Sequence, residues 1–556
     1  MGGGVAVSFY TGAPVSRTFT QRWRSREHVG PARPWMQVQL RRGQMQRSYH
    51  YNWPNPQFGQ VIGQSIRRQW YPDWTALTDW VTLDTVAQVD LDQSFDNNGV
   101  TVATIDLDNV EWQQLAGHAG MSYHARQRGV YWPWRGWRPP RRPGSGDARN
   151  EWWDKLPNAQ IVVRQGYGPD TAVKTFTGLV DSFNSQVRPD RITVTARDFG
   201  GVLADCPLFG WNKDRMMPDP VTFVPWDYHK IKLIANDARA HRWIRIKDSV
   251  DIVKCVLRWA GFKEWEVEDS GVNISTTVTF DKAKTYMDVI NAVKEQLGYI
   301  FFIGEPTSDD LSIGVPIFRR GSVMVSQRSR PIAIRDKDLL TDIKPQHDNK
   351  DDRHIIRVRG TINKQDGATL GQGVARIAGQ DQFRRNTFVY IPPFGGTHVA
   401  KRMAGVLKQF TYYNLGDQSV LGFTSNRQCA VAAVLIAIQI GLARDTGTLQ
   451  TPGNPAFGLD SFAFLTDAGS GVASRLYVSN RKSTMTIGGD GSSQQKSPYG
   501  GAGGSSTDLV WATEIGGSLC DNPEMETMVT DYNRALQLNP DGSVRPGHKA
   551  LSAGGV

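Results

Sequence analysis

From Thr82 to Leu107 the chain reads TLDTVAQVDLDQSFDNNGVTVATIDL, two runs of alternating apolar and polar residues around Asp96-Asn97-Asn98-Gly99. A period of two puts alternate side chains on opposite faces of a strand, and Asn-Gly supplies the left-handed turn, so this stretch predicts a β-hairpin. Three more strand-like runs follow, NAQIVVRQGYG, AVKTFTGLVDSFNSQ and DRITVTARDFGGVLAD, separated by Gly, Pro and Asp turns. Residues 36–205 therefore predict an antiparallel β domain with a long insertion near 124–150.

The period then changes to that of a helix. Val250, Ile252, Val253, Val256, Leu257 and Ala260 share one helical face, with Asp248 or Ser249 placed to cap the start and Gly261 to end it. Tyr286, Val289, Ile290, Val293 and Leu297 form a second apolar face between Thr285 and Gly298. GYIFFIGEP and LSIGVPIFRR then predict paired strands, which makes 206–325 a small α+β domain. A second β domain is expected over 326–490. It has strand candidates in PIAIRDKDLLTDIKPQHDN, HIIRVRGTIN, TPGNPAFGLDSFAFLTD and VASRLYVSNRKSTMTIGG, wrapped around an apolar helix within 424–443. Residues 1–35 mix Gly, Ser, Thr, Arg and Pro without a period and predict an extended arm. Residues 491–556, rich in Gly and Ser at their start, predict an extension with one short helix from Glu524 to Leu538. The fold class expected is α+β, mainly β.

Composition supports several domains. A length of 556 residues exceeds what one core fills, and 56 glycines, 29 prolines and 18 tryptophans fit many turns and much aromatic surface. Cys206, Cys255, Cys429 and Cys520 lie far apart with no CxxC spacing, so neither a zinc site nor a disulfide framework is expected. The start MGGGVAVSFYTGAPVSR lacks a basic region before an apolar stretch, and Ala6 stands where a myristoylation signal wants Ser or Thr. The run from Cys429 to Ala443 is shorter than the ~20 residues a membrane span needs, and it contains Gln439, so a buried helix and no membrane span are expected.

The net charge of +10 is concentrated. Residues 1–70 hold ten arginines against one acid, Glu27. A second basic segment, YWPWRGWRPPRR from Tyr131 to Arg142, interleaves aromatics with arginines. Such a segment can clamp a polyanion by charge and stacking, or thread over a neighbouring subunit. Contact with a protein partner is the preferred reading. Trp132, Trp134, Arg135, Trp137, Arg141 and Arg142 are the candidate inter-subunit residues.

The order TFTGLVDSFNSQ, ITVTARDFGGVLAD, IKDSVDIVKCVLRWAGF and TFDKAKTYMDVINAVKEQLGYIFFI resembles that of phage hub proteins, the central subunits of a tail tip or baseplate. PIAIRDKDLLTDIKPQHDNKDDRHIIRVRG and TPGNPAFGLDSFAFLTD similarly resemble the second β domain of those hubs. The match covers about residues 36–490 and rests on serial order, not on one motif. The resemblance implies two tail-tube-like β-barrels per chain and a homotrimer, which sets six near-equivalent modules in a ring. It further implies a place at the tail tip of the virion. There a tail tube or distal tail protein would lie above and tip, spike and tape-measure proteins nearby, with DNA passing through the lumen without specific binding. The arginine-rich arm and the aromatic insertion have no counterpart in that pattern.

Enzyme chemistry finds little support. HExxH, GxSxG and GxxxxGK[ST] are absent, and the ten histidines sit singly. No catalytic, cofactor-binding or metal residues are expected, and no cofactor. Asp90, Asp92, Asp96 and Gly99 superficially suggest a calcium loop, but glycine is not at position six and no glutamate closes it. Outward carboxylates before a hairpin turn explain them better. The run Gly500, Gly501, Ala502, Gly503, Gly504 reads as a linker, since no strand precedes it and no helix follows. Two rival functions stay open, a tail-associated cell-wall-degrading enzyme and a sequence-independent nucleic-acid-binding protein.

Overall fold

The computed structural model describes residues 34–41, 43–49, 70–76, 80–83, 86–108, 159–169, 172–186, 191–206, 208, 210–212, 217–219, 221–223, 248–262, 264–271, 278–280, 284–304, 314–325, 331–335, 339–348, 355–362, 385–393, 410–413, 425–467, 472–487, 509–521, 523–538 and 546–547. The expected arm at 1–33, the insertion at 124–150 and the Gly/Ser run at 488–508 lie outside the described residues.

The first third of the chain carries β1 (Trp35–Arg41), β2 (Gly43–Tyr49), β3 (Trp70–Ala76), β4 (Val81–Leu83), β5 (Val86–Ser94), β6 (Thr101–Asp108), β7 (Gln160–Gly166), β8 (Val173–Gln186), β9 (Arg191–Asp198) and helix α1 (Gly200–Asp205). The middle carries β10 (Gly210–Asn212), β11 (Met217–Asp219), β12 (Val221–Phe223), α2 (Val250–Trp259), β13 (Glu266–Val267), β14 (Val278–Phe280), α3 (Tyr286–Leu297), β15 (Tyr299–Gly304) and β16 (Val315–Arg320). The last part carries β17 (Ile332–Arg335), β18 (Thr341–His347), β19 (Ile355–Ile362), β20 (Arg385–Tyr390), β21 (Phe410–Tyr413), α4 (Asn426–Arg444), β22 (Asp445–Pro452), β23 (Phe462–Asp467), β24 (Val472–Ile487), β25 (Leu509–Leu519) and α5 (Pro523–Ala535).

One large sheet dominates, and its main path runs β18-β22-β25-β24-β5-β6-β9-β8-β7-β1-β4. Off that path β23 pairs with β24, and β17 pairs in parallel with β23. The expected hairpin is β5–β6, with Val89 opposite Ile105 and Asp92 opposite Val102. Asn98 and Gly99 take positive φ, 54° and 69°, and the Gly99 amide donates to the Ser94 carbonyl. Two separate apolar cores lie under this sheet. Val38, Val89, Leu91, Ile105, Val163 and Val194 belong to the first, and Ile334, Leu449, Leu465, Leu476 and Ile515 to the second. The two β domains expected from the pattern are thus two halves of one continuous sheet, joined where β5 meets β24. No sheet among the described residues is closed.

The α+β unit packs on the first half through Val100, Leu179 and Phe199, which share a core with α2, α3 and β15. Its helices start as their sequences predict. Asp248 Oδ1 accepts from the Val250 amide, and Thr285 with Asp288 forms a reciprocal capping box. Gly298, at φ 65°, closes α3. The hairpin tip presses into this unit so closely that a Cβ on Gly99 would lie 2.1 Å from the Phe301 carbonyl oxygen. Gly99→Ala combines that overlap with a left-handed backbone, so a loss of about 2–4 kcal/mol is expected in a urea melt.

The apolar helix is α4. It is the one described helix long and apolar enough to cross a membrane, but Cys429–Leu435, Ala437 and Ile438 are buried among β19, β20 and α5. Strands on one side and a helix on the other leave little of its circumference to water, which is why its sequence shows almost no polar face. The C-terminal region is a correction to the expected extension. β25 sits inside the main sheet between β22 and β24, and Met525, Met528 and Tyr532 of α5 pack on α4. The Gly/Ser run before β25 suggested a tail, whereas LVWATEIGGSL is a strand whose partners lie far away in sequence. All four cysteines are free thiols, three of them buried.

Candidate functional site

Register determines what the main sheet shows to water. Gln450, Glu514, Lys482, Asp92, Val102 and Arg197 lie directly opposite one another in a row across β22, β25, β24, β5, β6 and β9. Two residues along, Thr484, Asp90, Thr104 and Thr195 form the next row, followed by Thr486, Gln88, Asp106 and Thr193. Directly opposed residues of an antiparallel pair point to the same side. All of these side chains are exposed or half-buried, while their neighbours Val89, Leu91, Ala103, Ile105, Val194, Ala196, Met485 and Ile515 are buried on the other side.

The result is a polar face that crosses the joint between the two halves of the sheet without interruption. Apart from Val102, and from Ala512 and Val510 where the second and third rows reach β25, its rows consist of threonines, glutamines and charged residues, with carboxylates at Asp90, Asp92, Asp106 and Glu514 and cations at Lys482 and Arg197. Neither cation is isolated. Lys482 stands between Glu514 and Asp92 in the ladder. Arg197 donates through Nη2 to Asp181 at 3.1 Å and also pairs with Asp205, and these hydrogen bonds raise its pKa further above its ordinary value. The acids are held as well. Thr193 Oγ1 donates to Asp106 Oδ1 at 2.6 Å, and Gln88 Nε2 donates to Asp90 Oδ2 at 2.5 Å.

Behind the face stands Asp198, at the end of β9. It is buried, and it accepts from the Thr101 amide at 2.7 Å and the Gly200 amide at 2.8 Å. Burial outweighs these two donors and pushes its carboxyl up to about 7. It ties the start of β6 to the start of α1.

The two ends of the main path are poorly suited to adding a strand. β4 has three residues. β18 carries a register shift between Thr341 and Lys344, followed by Pro345, which has no amide hydrogen to donate. Among the described residues the face of the sheet is therefore a better candidate surface than these two ends.

The outward carboxylates expected at Asp90 and Asp92 are legible in the alternation of β5, and both side chains lie on this face. Lys482, Glu514 and Arg197 were not singled out by sequence, because their place in the row depends on pairings between strands hundreds of residues apart. The candidate inter-subunit residues Trp132, Trp134, Arg135, Trp137, Arg141 and Arg142 lie outside the described residues. No group of three or more metal-binding side chains occurs among the described residues.

No protein-family model matches the chain, and no curated protein matches it. Solved structures do. The 43 kDa tail protein of prophage MuSo2 from Shewanella oneidensis is 10% identical with a TM-score of 0.45, over 80% of this chain and 96% of that one. A tail protein from Neisseria meningitidis is 11% identical with a TM-score of 0.42, over 79% of this chain and 93% of that one. A chain of the phage P2 baseplate in its activated conformation is 10% identical with a TM-score of 0.29, over 88% of this chain and 100% of that one. By their descriptions these three are a prophage tail protein, a tail protein and a chain of a phage baseplate.

Proposed function

We propose that the chain is a structural subunit of a phage tail, a trimeric hub at the distal end that joins the tail tube to the tip proteins and encloses the DNA-ejection channel. The observation that carries this reading is the polar face across β24, β5, β6 and β9, which one row extends through Glu514 and Gln450 onto β25 and β22. In this reading three copies turn that face inward, and each half of the sheet, completed by its neighbours, takes the place of one tube-like barrel in a ring of six.

The chemistry of the face suits passage of a duplex. A wall that gripped phosphates would release counterions at every contact and hold the DNA. Here the carboxylates outnumber the cations by two, and both cations face carboxylates. Threonine and glutamine side chains keep the wall wet without offering a fixed positive charge. The Arg-rich arm and the segment with Trp132, Trp134, Arg135, Trp137, Arg141 and Arg142 then serve contacts with neighbouring tail proteins. The domain limits expected from sequence stand within this proposal, with 509–538 assigned to the distal half and its helical core. No catalytic role and no cofactor enter it.

Mass measurement of the purified full-length chain and imaging of virion tails test the proposal. Three copies in solution and threefold density at the tail tip are the expected results. A stable monomer that is absent from virions would falsify the hub reading, and release of soluble fragments from cell walls would favour the lytic alternative.

A further inference from the structure

β24 changes partners along its length. Val472–Tyr477 pairs with β23, whereas Asn480–Thr486 pairs with β5. Between these stretches the register against β25 shifts, between Val478 and Asn480, which leaves Ser479 as an inserted residue. Gly516 and Gly517 stand opposite, and a Cβ on Gly517 would lie 1.8 Å from the Tyr477 carbonyl oxygen. A bulge facing two glycines is where an antiparallel pair bends at least cost.

A buried carboxylate spans this point. Asp460, fully buried on the loop before β23, adopts φ 64°, a left-handed conformation for a residue with a side chain. It accepts from the Ser322 amide, from Ser322 Oγ at 2.9 Å, from Arg319 Nη2 at 3.0 Å and from the Tyr477 hydroxyl at 3.0 Å. Arg319 donates through Nη1 to Glu266 at 2.7 Å. The Asp460 amide donates to the Val478 carbonyl at 3.1 Å, and the Val478 amide donates to the Ser461 carbonyl at 2.9 Å, so the loop is stitched to β24 beside the bulge. On the other side the Phe95 amide donates to the Ser479 carbonyl at 3.1 Å, and the Phe95 ring lies 6.3 Å from Tyr477 and 6.1 Å from Phe302. Three bodies meet here: the α+β unit through Arg319 and Ser322, the distal half through Asp460 and Tyr477, and the hairpin tip of the first half through Phe95.

We propose that the Ser479 bulge facing Gly516 and Gly517 is a hinge between the two halves of the sheet, and that Asp460 is its latch, held shut by Arg319, Ser322 and Tyr477. The distal half can turn as a body because its core, around Leu449, Leu465 and Leu476, is separate from the core of the first half. Turning it bends the sheet at the end of the polar face, where β24 passes from β5 to β23. The device is a property of the chain alone and is tested without reference to its assembly.

The test uses the full-length chain with Cys206→Ser, spin-labelled at Thr82→Cys in the first half and Thr466→Cys in the distal half, both at exposed positions. Tyr477→Phe and Ser322→Ala each remove one hydrogen bond to Asp460 while keeping the shape of the junction, and Asp460→Asn removes its charge. The parent is expected to give one narrow label-to-label distance, and the variants a shifted or broadened one. Amide exchange at Phe95, Asp460 and Val478 should speed up by roughly tenfold or more, while Ile105 and Leu449 in the two cores keep their protection. An unchanged distance in the folded variants overturns the proposal. So does an equal acceleration at Ile105 and Leu449, or failure of both conservative variants to fold, since either makes the junction part of one global core.

Discussion

Replacing Asp92 and Glu514 by lysine is expected to turn a face with an excess of carboxylates into one that holds nucleic acid. Both side chains are exposed and stand on either side of Lys482 in one cross-strand row, so the double variant places three lysines side by side. The excess of two carboxylates on the face becomes an excess of two cations per chain. Each new phosphate contact should steepen the dependence of duplex binding by about one power of salt concentration. Fluorescence anisotropy of a labelled duplex between low and moderate salt measures this directly. The arginines before residue 70 are the same in parent and variant, so the difference in slope belongs to the sheet face alone. Equal slopes in two folded proteins would remove the face from any role in DNA passage. Folding itself should suffer little, because like charges opposite one another on an exposed sheet cost about 1 kcal/mol or less.

The second large effect concerns pH. Asp198 has an ordinary carboxyl pKa in the unfolded chain, near 3.8, and one of about 7 when folded. The folded protein therefore binds a proton that the unfolded chain releases, and stability falls as pH rises between those two values. The full span corresponds to about 4 kcal/mol, of which about 2–3 kcal/mol falls between pH 5 and pH 8. Asp198→Asn has nothing to titrate. It also offers one acceptor oxygen to the Thr101 and Gly200 amides instead of two. The parent should exceed the variant in stability at pH 5, and that advantage should shrink by about 2–3 kcal/mol at pH 8. Urea titrations of both proteins at the two pH values decide the matter. A gap that stays constant would mean that the two amides keep Asp198 ionised throughout.

Both predictions concern residues whose importance comes from where distant strands place them. The alternation in β5 and β6, the Asn-Gly turn and the two capped helices of the α+β unit are legible in the sequence because they depend on neighbours within a few residues. The same local signals announced β7, β8 and β9 and the pairing of β15 with β16. The apolar helix was legible as a buried one from its length and from Gln439. What surrounds it was not, since burial on all sides erases the periodic polar stripe that would orient it.

β25 shows why the rest was hidden. Its sequence follows a Gly/Ser run and reads as part of a tail, yet its hydrogen bonds go to Asp445–Pro452 and to β24. Asp460 carries no local mark either, because its four donors come from Arg319, Ser322 and Tyr477. By itself the sequence determined the elements, their order, the turn residues and the excess of arginine at the start. Only the tertiary structure decided that the two β regions share one sheet, that its charged rows run unbroken across their joint, and that one buried carboxylate spans the bend. The physical reason is that periodicity and capping act within a few residues, whereas register between remote strands is selected by burial of the whole sheet.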